Sequence, residues 1–294
     1  MRISTVILPI YRWSEGIRVW RRAEELGFHA AYTYDHLSWQ SFRDRPWYGA
    51  VPTLTAAALA TDRLRIGTLV TSPNYRQPVP LAKELMSLDD ISNGRLTVGI
   101  GSGGTGFDAT VLGQAPWSPG ERTERFSEFL GLLDRLLRQP TTTSEGVFYS
   151  AEEARMIPGC VQKPRVPLVV AAAGPKAMAL VARYGQGWVT YGHPVRPADV
   201  TAERAPDAVR AQMGVLETAC AQEGASYADL EKILLHGTTS ECPLGSLDAF
   251  VDWAGRYQGL GITEIAIHWP VPDSVFASDV DAFERIATEA AAQL

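Results

Sequence analysis

The sequence predicts an α/β fold, a (β/α)8 TIM barrel with insertions after strand 4 and before strand 5. Apolar, β-branched runs alternate with helical patterns at intervals of about 25 to 45 residues, the rhythm of repeated βα units. Several runs, such as Pro167-Leu-Val-Val-Ala-Ala172, are apolar without alternation, as parallel strands buried on both faces are. The length of 294 residues suits one such barrel, and no low-complexity linker divides it. Residues 1–294 therefore read as a single domain. A doubly wound sheet is the competing architecture, but it rarely needs eight regular repeats.

In order, strand Ile3–Leu8 leads into helix Glu15–Leu26, which ends at Gly27, a C′ position where glycine accepts a left-handed backbone. Strand Ala30–Tyr34 pairs with helix Pro52–Ala60, and strand Leu64–Val70 with helix Pro78–Ile91. Strand Leu96–Ile100 is followed by an irregular stretch, Gly101–Gly120, and then helix Arg122–Arg138. A second irregular stretch, Gln139–Lys163, precedes strand Leu168–Ala172 and helix Pro175–Arg183; within it Gly146–Tyr149 is a candidate extra strand. Three units close the chain: Gly187–Tyr191 with Ala208–Glu223, Ile233–His236 with Leu247–Leu260, and Thr263–Trp269 with Val280–Gln293. Ser246 and Asp279 stand as N-caps of the last two helices, and Gly261 as a C′ glycine. Long connections in a compact domain are usually functional, so both irregular stretches are expected to wall the active site.

Composition narrows the function. Hydrophobic content of 46% and charged content of 20% are those of an ordinary globular protein. A net charge of −6 without a basic run argues against a nucleic-acid partner. No apolar run approaches the roughly 20 residues that span a bilayer. Met1-Arg2 runs straight into a strand, with no leader pattern, so no membrane and a cytoplasmic location are expected. Cys160, Cys220 and Cys242 cannot all pair and show no CxxC spacing, which suits a reducing compartment. There is no HExxH and no cysteine pair, so no metal is expected.

The most informative stretch is Asp35-His36-Leu37-Ser38-Trp39, where the second strand runs out. A barrel builds its active site at the carboxyl ends of its strands. There an imidazole can exchange a proton, an indole can cover a planar ring and a carboxylate can orient a donor. The plain alternative is a strand-to-loop turn with a capping Asp and a half-buried Trp. His193, His236 and His268 also fall at strand ends, with packing or solvent exposure as the alternative for each. Gly99–Gly106 contains a formal GxGxxG at Gly101, Gly103 and Gly106, but it follows the fourth strand and lacks the later acidic residue. Its glycines more simply let a flat ligand approach the backbone. Ala171-Ala-Ala-Gly-Pro-Lys176 turns through small residues into a helix, where free N–H groups and Lys176 would attract an anion. An ordinary strand-to-helix turn is the alternative. Trp13, Trp39, Trp47, Tyr75, Trp188, Tyr191 and Trp269 are assigned to the same face.

Together these pieces resemble the bacterial luciferase-like superfamily of flavin- and deazaflavin-dependent barrel enzymes. The likeness rests on Arg21–Phe28, Leu64–Pro73, Ser92–Gly101, Gly120–Phe126 and Val170–Pro175 running on to Gly187-Trp188. The Asp-His-x-x-Trp pattern at 35–39 is similar to the branch that uses the deazaflavin coenzyme F420. The resemblance implies that Asp35 contacts the deazaflavin or its ribityl chain, and that His36 and Trp39 are catalytic. It implies a non-proline cis bond at Leu69-Val70 that supports one ring face. Ser72, Ser102 and Gly103 would bind the chromophore and tail, and Ala173, Gly174 and Lys176 the phosphate. A homodimer is expected on the same ground. One departure matters: where the sugar-phosphate dehydrogenases of this branch carry an acidic glutamate, this chain has Gly104, and their phosphate-binding lysine is absent near His193-Pro194. The expected activity is hydride transfer between F420 and a small organic substrate, alcohol/carbonyl or C=C/C=N, not a sugar phosphate. The alternatives are an FMN-dependent monooxygenase and a non-catalytic flavin-binding relative.

Overall fold

The computed structural model describes residues 1–104, 107–192, 205–237 and 243–294. Its eight-stranded parallel barrel comprises β1 (Arg2–Val6), β2 (Ala30–Thr33), β3 (Arg65–Thr71), β4 (Leu96–Ile100), β7 (Leu168–Ala171), β8 (Gly187–Thr190), β9 (Glu231–Leu235) and β10 (Glu264–His268). Neighbours follow chain order around the ring, and β1 closes it against β10 with Arg2 opposite Glu264 and Val6 opposite His268. Helices α1 (Trp13–Glu25), α2 (Ala50–Ala60), α3 (Pro78–Ile91), α5 (Pro119–Arg138), α6 (Pro175–Tyr184), α7 (Ala205–Glu223), α8 (Leu247–Gln258) and α9 (Val280–Glu289) surround it.

Alternation along each strand produces two cores. Val6, Tyr32, Leu69, Val169, Val189, Ile233 and Ala266 fill the barrel interior. The intervening residues, such as Ile3, Ala31, Ile66, Val98, Val170 and Trp188, pack outward with the helices. The N-caps behave as their side chains dictate: Ser246 accepts from the Ala249 N–H at 3.2 Å and Asp279 from the Ala282 N–H at 2.7 Å. Gly27 has a φ of 83° just past α1. α8, however, stops at Gln258 with Gly259 as its C-cap, so Gly261 lies beyond it in the left-handed region.

The insertions lie where expected but are built differently. The first contains a short helix, α4 (Phe107–Val111), that no periodicity announced. The second forms an antiparallel hairpin, β5 (Thr141–Ser144) with β6 (Ala151–Arg155). Gly146–Tyr149 is its connection rather than a strand: the N–H groups of Val147, Phe148 and Tyr149 all donate to the Glu128 carboxylate on α5. Those donors are spent on a side chain, which leaves no ladder to form. The second insertion also fails as an active-site wall. It follows a helix and precedes a strand, and Gln162 ties its return to Asp89 and to the Leu96 carbonyl at the start of β4, the opposite end of the barrel.

Candidate active site

Four adjacent strands, in the order β7-β4-β3-β2, carry the expected site residues to one sector of the mouth. Asp35 and His36 follow β2, Leu69–Ser72 end β3, Ser102 and Gly103 follow β4, and Ala173–Lys176 follow β7. The Leu69-Val70 peptide is cis, and the pairing of β3 with β4 shifts register between Thr68 and Thr71. A Cβ on Gly101 would stand 3.2 Å from Val70 Cγ2 and 3.1 Å from Ala171 Cβ, so this glycine lets three strand ends approach one another.

The Asp35 carboxylate is fully buried. Thr71 Oγ1 donates to it at 2.6 Å, the Tyr75 hydroxyl donates to Oδ1, and Arg76 forks onto both oxygens at 2.7 and 3.0 Å. With four donors closing round it, the carboxylate is a strut between the β2 and β3 ends. Each of its oxygens accepts from two protein donors.

His36 projects from the next position. Its Nδ1 lies 2.9 Å from Oδ2 of Asp108 on α4, and the Leu37 N–H donates to Oδ1 of the same carboxylate at 2.7 Å. Asn74 Nδ2 reaches Oδ2 at 3.4 Å, and Trp47 Nε1 donates to the His36 carbonyl at 2.8 Å. Burial pushes the Asp108 carboxyl up, but the His36 hydrogen bond and charge and the Leu37 N–H outweigh it and hold it below the usual aspartate range. Gly104 supplies no carboxylate; the carboxylate beside the imidazole is that of Asp108.

An aromatic roof covers the neighbouring mouth. Trp39 stacks on Phe276 at 5.5 Å and near-parallel to Trp47 at 6.5 Å, with Tyr34 edge-on at 5.4 Å. Beneath it His268 stacks on Phe276, its Nδ1 donates to the His236 carbonyl at 3.0 Å, and Nε2 accepts the Tyr34 hydroxyl at 2.7 Å. Burial first, then His236, pushes the His268 pKa down to about 3, so this histidine is a neutral packing group. His236 sits edge-on to Trp253. His193, Gly106 and Cys242 lie outside the described residues. Trp188 and Trp269 face the outer layer: Trp188 Nε1 donates to the Ala172 carbonyl at 2.8 Å, and Trp269 packs on Phe283.

Ser72 is 1% exposed, and its Oγ has no hydrogen-bond partner among the described residues. Gly103 has a φ of 79°, and a Cβ there would collide with the Asn74 carboxamide. Gly174 caps α6 with nothing within 4 Å of a Cβ position, and Ala173 and Lys176 are exposed beside it. An orphaned hydroxyl, a side-chain-free bend and an open helix start fit a long planar ligand with an anionic tail. Among the described residues no cluster of His, Cys, Asp or Glu could hold a metal, and no helix is long and apolar enough to cross a membrane.

Sequence reasoning missed Asp108, Thr71, Asn74 and Arg76. Arg76 closes the Ser72-Pro-Asn-Tyr-Arg76 stretch just past a strand end, a position that could have flagged it. Asp108 carried no comparable signal.

A closed parallel barrel with this mouth defines the class, and the family follows: residues 4–215 match the profile described as luciferase-like monooxygenase, so the chain belongs to that family. Among curated relatives, an F420-dependent glucose-6-phosphate dehydrogenase of Beutenbergia cavernae is 36% identical over 178 residues, 57% of this chain and 49% of that one. An F420-dependent hydroxymycolic acid dehydrogenase of Mycobacterium tuberculosis is 29% identical over 183 residues, 61% of this chain and 49% of that one. The chain thus spans about half the length of the curated relatives it matches. The solved structure of an F420-dependent secondary alcohol dehydrogenase, in complex with an F420–acetone adduct, superposes with a TM-score of 0.81. It covers 98% of this chain and 99% of its own at 18% identity, a likeness of fold alone.

Proposed function

We propose that the protein is an F420-dependent oxidoreductase acting on a small organic substrate, either an alcohol/carbonyl pair or a C=C or C=N bond. The carrying observation is the convergence of His36, the cis Leu69-Val70 peptide, Ser72, Gly103 and Gly174 on four adjacent strand ends. The names of the curated relatives, which share F420, support the same reading.

A deazaflavin supplies hydride transfer when bound, since it has carbon where a flavin has a reactive nitrogen, and it reacts poorly with oxygen. The Leu69-Val70 peptide would support the ring, and Ser72, Ser102 and Gly103 would hold the chromophore and tail. Ala173, Gly174 and Lys176 would receive the phosphate at the α6 start. His36 gives or takes the substrate proton, and Trp39 walls the substrate side with Phe276. Asp35 acts through Arg76, Tyr75 and Thr71 to hold these strand ends in place. The aromatic roof favours an apolar or planar substrate over a sugar phosphate. Residues 1–294 act as one barrel domain, as a homodimer in the cytoplasm, where the free, buried Cys160 and Cys220 suit reducing conditions.

The family description keeps an FMN-dependent monooxygenase as the second reading. A stoichiometric assay in a glove box, with reduced F420 or reduced FMN in turn, separates them. From a panel of ketones, enones, imines and sugar lactone phosphates, one product per F420 oxidised, without oxygen, is expected with a member of the first three classes and not with the sugar phosphates. Turnover only with reduced FMN and air, with ¹⁸O entering the product, would sink the proposal. Preference for the sugar phosphate would overturn the substrate assignment alone.

A further inference from the structure

We propose that Asp108 is a positioning residue that fixes the tautomer of His36, keeping a proton on Nδ1 and leaving Nε2 as the nitrogen that exchanges a proton with the substrate. This rests on the reading of His36 as the group that handles that proton.

The geometry leaves one arrangement. Asp108 is 1% exposed, and its ionised carboxylate only accepts. Oδ1 is taken by the Leu37 N–H at 2.7 Å, a main-chain donor that cannot reverse. Oδ2 faces His36 Nδ1 at 2.9 Å, so that nitrogen carries hydrogen whether the ring is neutral or charged. The His36 main chain is held as well, since its carbonyl accepts the Trp47 indole at 2.8 Å. The imidazole can therefore neither shift nor turn over without breaking the Asp108 contact. Its Nε2 is the only ring position free to change protonation, and the side chain is 20% exposed to the mouth.

Charge is not the only thing Asp108 contributes; its acceptor-only chemistry is what selects the tautomer. In Asp108→Asn one oxygen remains. The fixed Leu37 N–H claims it, while Asn74, a carboxamide, can turn its own oxygen toward the new NH2. That NH2 then faces Nδ1 and requires a lone pair there, which moves the neutral ring's proton to Nε2. The variant keeps the shape of the site but presents Nε2 to the substrate already carrying the neutral ring's proton. In Asp108→Glu both oxygens still only accept.

The test is two-bond ¹H–¹⁵N NMR of histidine-labelled protein without cofactor, at alkaline pH, with His36 assigned by the signals lost in His36→Gln. The wild type should show His36 as the Nδ1–H tautomer, Asp108→Glu should keep it, and Asp108→Asn should convert it to Nε2–H. With the substrate found above, kcat of Asp108→Asn should fall by about 10²-fold or more, the scale of a misplaced acid–base group. KM and the cofactor Kd should stay within about twofold, and Asp108→Glu should recover part of kcat. A wild-type His36 in the Nε2–H tautomer overturns the proposal, as does an Asp108→Asn protein that keeps Nδ1–H. If Asp108→Asn does not fold, the wild-type and Asp108→Glu tautomers decide. Because the spectra need no cofactor, an FMN- and oxygen-dependent activity would remove the F420 reading and leave this result standing.

Discussion

The two ends of this barrel gather the same three chemical groups around a buried carboxylate, and they hold them differently. At the mouth, Asp35 meets Arg76 and Tyr75; at the opposite end, Glu264 meets Arg2 and Tyr32. Every direction around the Asp35 carboxylate is filled, with Thr71 completing a set of close donors. Glu264 receives the Tyr32 hydroxyl at 3.0 Å, but Arg2 Nε stands off at 3.6 Å and Oε2 has no hydrogen-bond partner among the described residues. Burial therefore wins, and the Glu264 carboxyl is raised above the usual glutamate range despite Ser4, Arg2 and Tyr32. Composition of a cluster does not decide its role. The number and closeness of donors do, and here the tighter cluster is the one that braces the loops carrying His36.

The contrast can be sharpened at the mouth first. His36→Ala should lower turnover by about 10²–10⁴-fold, the contribution of a general acid–base group, with cofactor affinity nearly unchanged. Unaltered turnover in a folded variant would take His36 out of the mechanism. Asp35→Ala should act through stability instead. It strands the Arg76 guanidinium, 16% exposed, beside Glu84 and the Tyr75 ring, and loss of one partner of a buried pair costs about 3–5 kcal/mol. Denaturant unfolding measures this, and a loss under about 1 kcal/mol would show that the mouth cluster braces nothing.

The opposite end should respond least, and with a pH signature. A raised folded-state pKa means that the stability Glu264 contributes is fully present below the ordinary glutamate pKa. It is lost as pH rises through the raised value. Glu264→Gln keeps a polar group without that penalty, so it should be neutral or stabilising by up to about 1 kcal/mol near neutral pH. The gain should shrink at acid pH, with turnover unchanged throughout. A clear destabilisation at neutral pH would mean that Glu264 is held as tightly as Asp35, and the comparison would fail.

Periodicity made most of the fold legible. β4 and α3 have the bounds the sequence predicts, and all eight barrel strands fall where apolar runs were read. That signal is local: a strand's alternation, a helix's repeat, a Ser or Asp before a first turn and a glycine after a last one are all written within a few residues. Resemblance placed the bend at Leu69-Val70, where the peptide is cis. The hairpin β5–β6 escaped because its connection is organised by Glu128, about a helix length earlier, and not by any turn signal of its own.

The sequence by itself determined that a barrel forms and that Asp35-His36 stands at a strand end, because burial periodicity and strand polarity are properties of short segments. Only the tertiary structure decided what those two residues do there. His36 and Asp108 are 72 positions apart, and Asp35 and Arg76 are 41 apart. Contacts at such separations exist only once barrel closure has brought β2, β3 and the β4 loop side by side. No local pattern encodes which carboxylate becomes a strut and which one holds the histidine.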